Sequence, residues 1–257
     1  MDPPTPDDLT KGYNEYPIAA RMICMSPVPS QCLPETLPEN PLATVGAWLA
    51  EAYTLQLQPN PNAMTLATVG PEGHPSARIV LLKELNQAEG YLLFVTNYQS
   101  RKGVELAAHP RAAVVLHWDS LHRQVRIEGH AIHSPIDESD RYFANRPWQS
   151  QIGAWASAQS QPVASRAELV KQWRAAGQRF NSPPVGPDAT DTDPPMGQVV
   201  PRPAHWGGIR LWIDAVELWV EADYRIHDRA RWHRSLTKRT DAQGFNGSVW
   251  RATRLQP

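Results

Sequence analysis

Ala63-Met-Thr-Leu-Ala-Thr-Val69, then Gly70-Pro-Glu-Gly-His-Pro75, then Arg78-Ile-Val-Leu-Leu82 form the stretch on which the fold turns. Two runs rich in aliphatic and β-branched residues flank a hexapeptide of glycine and proline, which reads as a β-hairpin. Further strand-like runs lie at Tyr91–Thr96, Ala112–Trp118, Arg123–His133, Ile209–Ile213, Val216–Val220, Ala230–Arg234 and Val249–Leu255. Helical spacing predicts a helix over Leu42–Tyr53, with Val45, Leu49 and Ala52 on one side. It predicts others over Ser100–His109 (Ser100 as N-cap), Pro135–Asn145, Gln149–Ala158 and Ala164–Phe180. Strands joined by short turns, with few βαβ alternations, argue against a doubly wound sheet. They predict a mainly β fold, an antiparallel barrel with added helices.

Composition narrows the function classes. The chain has 257 residues, 41% of them hydrophobic, which is enough for one substantial core. A net charge of -1 gives no global pull toward nucleic acid or a membrane, so any anion must be held by local Arg and Lys clusters. The two cysteines, Cys24 and Cys32, form no CxxC pair and have no His cluster beside them, so neither a structural metal nor a disulfide framework is expected. No apolar leader follows Met1-Asp-Pro-Pro4, and no run reaches the ~18 apolar residues of a membrane span, so a cytoplasmic location is expected. Ten tryptophans serve core and interface packing, or a pocket for a flat aromatic ligand.

Proline punctuates the chain. Residues 1–41 hold nine of the 25 prolines and read as a partly disordered arm. Residues 42–180 carry the regular core. Residues 181–205 read as a proline-rich insertion loop with Asp188, Asp191 and Asp193, and residues 206–257 return to strands of the same domain.

Four clusters could carry chemistry. In Arg78-Ile-Val-Leu-Leu-Lys83 two cations bracket a strand and point to opposite faces unless a bulge intervenes; an ordinary strand with charged ends fits equally well. Ser100-Arg101-Lys102 offers a hydroxyl, helix N-terminal N–H groups and two cations, a phosphate cradle if not a solvated helix start. Tyr142, Arg146 and Ser150 would share one face of a continuous helix, though Pro147 interrupts it. In Tyr224-Arg225-Ile-His227-Asp228-Arg229, strand alternation would put Arg225, His227 and Arg229 on one face, a costly arrangement without an anion. No GxGxxG, Walker A, HExxH or nucleophile-elbow motif is present.

Taken together, Arg78–Lys83, Thr96-Asn-Tyr-Gln-Ser-Arg-Lys102, Arg123-Gln124-Val125, Ser150-Gln-Ile-Gly-Ala-Trp155, Gln159-Ser160, Trp206-Gly-Gly208, Arg225–Arg229 and the ending Arg254-Leu-Gln-Pro257 resemble the pyridoxine/pyridoxamine 5'-phosphate oxidase family, in the same order and from about Asn40 to Pro257. The resemblance implies an FMN-binding split β-barrel of antiparallel Greek-key type, working as a homodimer with FMN at the subunit interface. It implies FMN contacts from Arg78, Ile79, Val80, Leu81, Leu82, Lys83, Val95, Thr96, Arg101, Lys102, Gln124, Gln159, Ser160, Trp219 and Arg229. It places the phosphate of a small phosphorylated pyridine on Lys83, Tyr142, Arg146 and Ser150, and it puts Arg225 and His227, as the catalytic pair, over the pyridine ring. The implied reaction oxidises pyridoxine or pyridoxamine 5'-phosphate to pyridoxal 5'-phosphate, with O2 reduced to hydrogen peroxide.

The sequence departs from the family pattern in three places. Val95 stands where an aromatic residue is more usual. Thr10-Lys-Gly-Tyr13 keeps the Tyr of an N-terminal Arg-x-x-Tyr element and offers Lys11 for its Arg. The insertion at 181–202 lengthens the link to Trp206. These changes keep two other readings open: an FMN oxidase of the phenazine-biosynthesis type, and a non-catalytic FMN or pyridoxal phosphate binding protein.

Overall fold

The computed structural model describes residues 32–181, 199–240 and 243–257. The expected arm with Lys11 and Tyr13, the Cys24 thiol, and Asp188, Asp191 and Asp193 of the insertion lie outside the described residues.

The hairpin forms as the sequence predicts, β1 (Ala63–Val69) pairing with β2 (Pro75–Leu81) from Ala63↔Leu81 to Val69↔Pro75. Gly73 in its turn has φ +82°, a left-handed conformation that costs glycine nothing. After Leu81 the chain kinks and changes partner. Leu82 N–H donates to Asn62 O of the β1 side (2.9 Å), and Lys83 N–H donates to Leu93 O (2.8 Å). β3 (Glu84–Asn86) then runs on against β4 (Tyr91–Asn97). One kinked chain therefore closes the ring β1–β5–β6–β7–β4–β3, in which β5 is Arg111–Trp118, β6 is Arg123–His133 and β7 is Trp206–Val220, every pair antiparallel.

β7 is where the barrel splits. Its first half, Trp206–Trp212, pairs with β4; its second half, Ala215–Val220, pairs with β8 (Asp228–His233), which pairs in turn with β11 (Arg251–Leu255). The sequence suggested two strands here, at Ile209–Ile213 and Val216–Val220. They are one strand, because a bulge opposite Glu128/Gly129 absorbs Asp214 without ending the ladder. A Cβ on Gly129 would sit 2.2 Å from the Trp212 carbonyl oxygen, so the bulge requires glycine. A small hairpin, β9 (Leu236–Lys238) with β10 (Phe245–Gly247), was not anticipated; three-residue strands are too short to show a period.

Two neighbouring rows of side chains define the faces. Leu66, Val114, Ile127, Val216 and Trp232 are successive cross-strand partners, each at most 1% exposed, and form the barrel core. The next row, Ile79, Thr65, Val115, Arg126, Glu217 and Arg231, runs along the outer face, where Ile79 is 64% exposed.

α1 (Pro41–Leu55) closes one side of the barrel with Leu42, Val45, Trp48 and Ala52, its first turn capped by Asn40 Oδ1 accepting from Leu42 N–H (3.0 Å). α2 (Arg101–Ala108), α3 (Ile136–Ala144), α4 (Trp148–Ala156) and α5 (Arg166–Arg179) follow the predicted ranges closely. A second, smaller core of Phe143, Ile152, Ala176, Val200 and Trp206 binds α3–α5 to the start of β7.

Candidate functional site

A cavity of about 590 Å³ opens where the kinked strand, β4, α2 and the α3–α4 junction converge. The strand gives Ile79, Val80, Leu81 and Lys83; β4 gives Val95, Thr96 and Asn97; the junction gives Tyr142, Asn145, Arg146, Pro147 and Ser150. Lys102, Gln159 and Trp206 complete the wall. Among the described residues, three cations face this space and no carboxylate does.

The α3–α4 junction owes its shape to Pro147. Proline bars the residue before it from helical conformation, so α3 ends at Ala144 and α4 starts at Trp148. The continuous helix that would have aligned Tyr142, Arg146 and Ser150 does not form, yet the break still turns all three into the cavity. The Arg146 guanidinium stacks on the Trp206 ring (4.5 Å to the centroid) and near Phe143 (5.7 Å). Its Nη1 is buried and has no hydrogen-bond partner among the described residues. Burial pulls its pKa below the usual arginine value, with Tyr142 opposing the shift. Lys83 Nζ lies 6.0 Å from the Tyr142 ring centroid.

The start of α2 is built as the sequence suggests. Ser100 caps it, its Oγ accepting from Gly103 N–H (3.4 Å) and donating to Asn97 O (2.6 Å). Lys102 Nζ donates to Gln159 Oε1 (2.8 Å) and Ser100 Oγ (3.1 Å). Burial, then the positive charge of Arg78, lowers the Lys102 pKa to about 8, and Glu105 offsets part of that. Behind them lies Glu105, whose side chain is 5% exposed. Its carboxylate accepts from Thr68 Oγ1 (2.5 Å), Ser76 Oγ (2.7 and 2.9 Å), Arg101 Nε (2.8 Å) and Arg78 Nη2 (3.1 Å). Burial alone would raise this carboxyl; the four donors outweigh it and hold the pKa at about 2. Glu105 carried no weight in the sequence, although Arg101-x-x-x-Glu105 is a helical i,i+4 pair.

Arg78 and Lys83 part as the strand parity requires. Arg78 is the cross-strand partner of Leu66 and reaches Thr68, Ser76 and Glu105, whereas Lys83, beyond the kink, enters the cavity. Leu82 is buried in the core rather than in the cavity wall. Ser160, beside Gln159, has φ 72°.

The remaining predicted residues form a second cluster. Gln124, Trp219 and Arg229 are successive cross-strand partners on β6, β7 and β8, two residues along the outer-face row from Arg126, Glu217 and Arg231. Arg229 donates to Glu217 (2.8 and 3.3 Å) and to Gln256 O (3.0 Å). The His227 ring lies 4.8 Å from Trp219, and its Nδ1 accepts from Ala222 N–H (3.2 Å). The strand expected to align Arg225, His227 and Arg229 does not form. Asp223–Arg225 is a 3₁₀ turn, closed by Ile226 N–H on Asp223 O (3.1 Å), and β8 begins only at Asp228. Tyr224 (φ 57°) and Arg225 (φ 63°) are both left-handed, so the period-two alternation has no ladder to act on before Asp228. None of Gln124, Trp219, Arg225, His227 or Arg229 reaches the cavity of its own chain. Trp206 and Trp219 sit near opposite ends of β7, on the order of 40 Å apart along the strand at about 3.3 Å per residue.

Comparison with known proteins adds a relationship to this geometry. Residues 50–179 match the family described as "Pyridoxamine 5'-phosphate oxidase", and residues 206–257 match "Pyridoxine 5'-phosphate oxidase C-terminal dimerisation region". A pyridoxine/pyridoxamine 5'-phosphate oxidase of Burkholderia cenocepacia is 45% identical over 218 residues, 85% of this chain and 89% of that protein. One of Cupriavidus pinatubonensis is 44% identical with the same coverage. Among solved structures, PhzG of Burkholderia lata in complex with tetrahydrophenazine-1-carboxylic acid superposes with a TM-score of 0.69 at 26% identity, covering 86% of this chain and 94% of that one. An FMN binding protein of Nostoc punctiforme shares the fold, with a TM-score of 0.58 at 15% identity over 84% of this chain and 96% of that one.

Proposed function

This chain belongs to the pyridoxamine 5'-phosphate oxidase family, and from that premise we propose that it is an FMN-dependent oxidase of pyridoxine or pyridoxamine 5'-phosphate, producing pyridoxal 5'-phosphate and hydrogen peroxide. The observation that carries the reading is the cavity's charge: Lys83, Lys102 and Arg146 with no carboxylate, and a buried Arg146 Nη1 with no partner among the described residues. A half-buried cation with no counter-ion and one buried, unpartnered nitrogen is costly, so the site is built for an anion that arrives with the ligand.

The cofactor is FMN. The donor set fits a phosphate joined to a flat ring: Lys102 and the free terminal nitrogens of Arg101 for the phosphate, Ile79, Val80, Leu81 and Val95 for the ring, and the Gln159 amide beside them. Bound there, FMN supplies acceptance of a hydride equivalent from the substrate C4' carbon and the return of electrons to O2. This chain's residues do the rest. Lys83, Tyr142, Arg146 and Ser150 hold the substrate phosphate, and Trp206 and Pro147 exclude water from one side of it.

The protein works as a homodimer with FMN at the interface. Ile79 and Leu81 at one edge of the outer face, and Gln124, Trp219 and Arg229 toward the other, belong to the same sheet. A two-fold contact through that face with its axis along the strands carries each edge onto the opposite edge of the partner. Trp219, Arg229, Arg225 and His227 then complete the partner's cavity, Arg225 and His227 orienting the substrate ring. The segment from residue 206 onward supplies the dimer contacts, within the same domain as the barrel. A cytoplasmic location accords with this metabolite chemistry.

A second reading, oxidation of a reduced phenazine carboxylate, is favoured by the superposition on PhzG. With Lys102 given to the FMN phosphate, a monocarboxylate compensates one of the two remaining cations, Lys83 and Arg146, whereas a phosphate dianion compensates both. The experiment is to purify the protein, record flavin absorbance, add pyridoxine 5'-phosphate in air, and follow pyridoxal phosphate and peroxide. Turnover supports the reading. A flavin-bound protein that oxidises only a dihydrophenazine carboxylate replaces it with the second, and a protein unable to take up FMN ends both.

A further inference from the structure

We propose that Glu105 is a positioning residue for the cofactor phosphate: it holds Arg101 by its Nε and braces Arg78 by Nη2, so that the Arg101 fork is presented to the anion. The inference rests on the FMN reading above and adds to it a residue outside the cavity wall.

The geometry is specific. Arg101 gives its Nε to Glu105 Oε1 at 2.8 Å and makes no bond through Nη1 or Nη2 among the described residues, while its side chain stays 63% exposed. Both terminal nitrogens are therefore free to bind two phosphate oxygens, and the side chain is already fixed at its root. Arg78 is braced by the same carboxylate. Its Nη1 donates to Thr68 Oγ1 and Leu66 O, and its Nη2 donates to Ser76 Oγ and Glu105.

Charge points the same way. Arg78, Arg101 and Lys102 would together over-match a phosphate dianion, and one buried carboxylate among them leaves an excess of two positive charges, equal and opposite to the ligand. The carboxylate stays ionised under all working conditions, since its four donors keep its pKa near 2. An acid so fully bonded has no proton to trade, which sets its role apart from acid–base catalysis.

Riboflavin separates this role from a merely structural one, because it has the ring of FMN without the phosphate. Equilibrium binding of FMN and of riboflavin to apo-protein is measured by flavin fluorescence, for the wild type and for Glu105→Gln. The expected result is an FMN affinity lower by about tenfold, the equivalent of one good charged hydrogen bond, with riboflavin changed less than about twofold. The ratio of the two affinities thus falls by nearly an order of magnitude. An unchanged or larger ratio overturns the proposal, whatever happens to the melting temperature. Should Glu105→Gln fail to fold, Ser76→Ala removes one donor from the same carboxylate at a half-buried strand position. There the ratio is expected to fall by about twofold to threefold, and no fall counts against the proposal. A wild type that binds neither flavin defeats the FMN reading itself and is distinct from both outcomes.

Discussion

The arginines of the cavity and those of the outer face are opposites in how their charge is met. On the outer face Arg126, Arg229 and Arg231 join Glu128 and Glu217 in a chain of ion pairs at 2.8–3.7 Å. In the cavity Arg146 stacks on aromatic rings and meets no carboxylate among the described residues. A protein that needed these groups only for stability would have paired both. The difference marks the cavity as a place for a ligand anion and the outer face as a surface already neutral enough to pack against another protein.

The strongest way to break that contrast is at Arg146. Arg146→Met keeps an unbranched apolar stem and removes the guanidinium with its uncompensated charge. Phosphate recognition should suffer most: kcat/KM for pyridoxine 5'-phosphate is expected to drop by about a thousandfold, since a buried charge-assisted pair is lost. Stability should move the other way, rising by roughly 1 kcal/mol because a partly desolvated, unpaired cation is gone. Steady-state kinetics and a thermal melt on the apo-protein test both halves. A variant that is less stable and kinetically normal would mean that Arg146 is a packing residue.

The second prediction tests whether the two regions meet across a dimer. Arg146→Met and Arg225→Ala should each be nearly inactive as homodimers, while still binding flavin. Mixed by co-expression, they should recover activity to about a quarter of wild type, because half the dimers are mixed and each has one undamaged site. No recovery in verified heterodimers would mean that cavity and turn act within one chain, or not at all.

The third concerns Lys102, at the edge of the cavity. Its pKa, lowered to about 8, means that the apo-protein loses this charge between neutral pH and pH 9, where an ordinary lysine would keep it. A bound phosphate needs the charged form, so binding above pH 8 must also take up a proton, and affinity falls as pH rises. FMN binding is expected to weaken about tenfold from pH 7 to pH 9, while riboflavin binding stays flat. Lys102→Arg, which does not titrate here, should remove most of the slope.

These two regions also differ in how readable they were. The cavity residues were legible because each lies in a short motif whose chemistry is local: Ser100 as a cap, Lys102 behind it, Tyr142, Arg146 and Ser150 at a spacing near the helical repeat. Even the break at Pro147 was visible, although the way it redirects three side chains depends on packing against Trp206. The barrel was legible from the hairpin and the strand runs. What escaped was long-range. The bulge that merges two strands into β7 depends on Gly129 lying against Trp212, and Glu105 matters only because Thr68, Ser76 and Arg78 are folded over it. The turn before β8 was misread because alternation says nothing about where a ladder starts.

That turn carries the smallest of the expected effects and the most direct test of why its backbone is bent. Tyr224 is 93% exposed at φ 57°, so its ring gains almost no burial within its own chain to offset a left-handed backbone. Such a conformation costs a non-glycine residue roughly 1–2 kcal/mol, and asparagine less than most, because its short polar side chain bonds locally. Tyr224→Asn should therefore stabilise the protein by about 0.5–1 kcal/mol in urea unfolding. Tyr224→Ala should leave stability close to wild type, since alanine meets the same backbone penalty. If Asn and Ala behaved alike, the left-handed geometry would carry no measurable strain. If Asn stabilised while raising KM for the phosphorylated substrate, the strain would be held in place by what the turn does at the partner's cavity. The two regions would then be linked functionally as well as by symmetry, since the exposed turn would be tuned to a ligand that its own chain never touches.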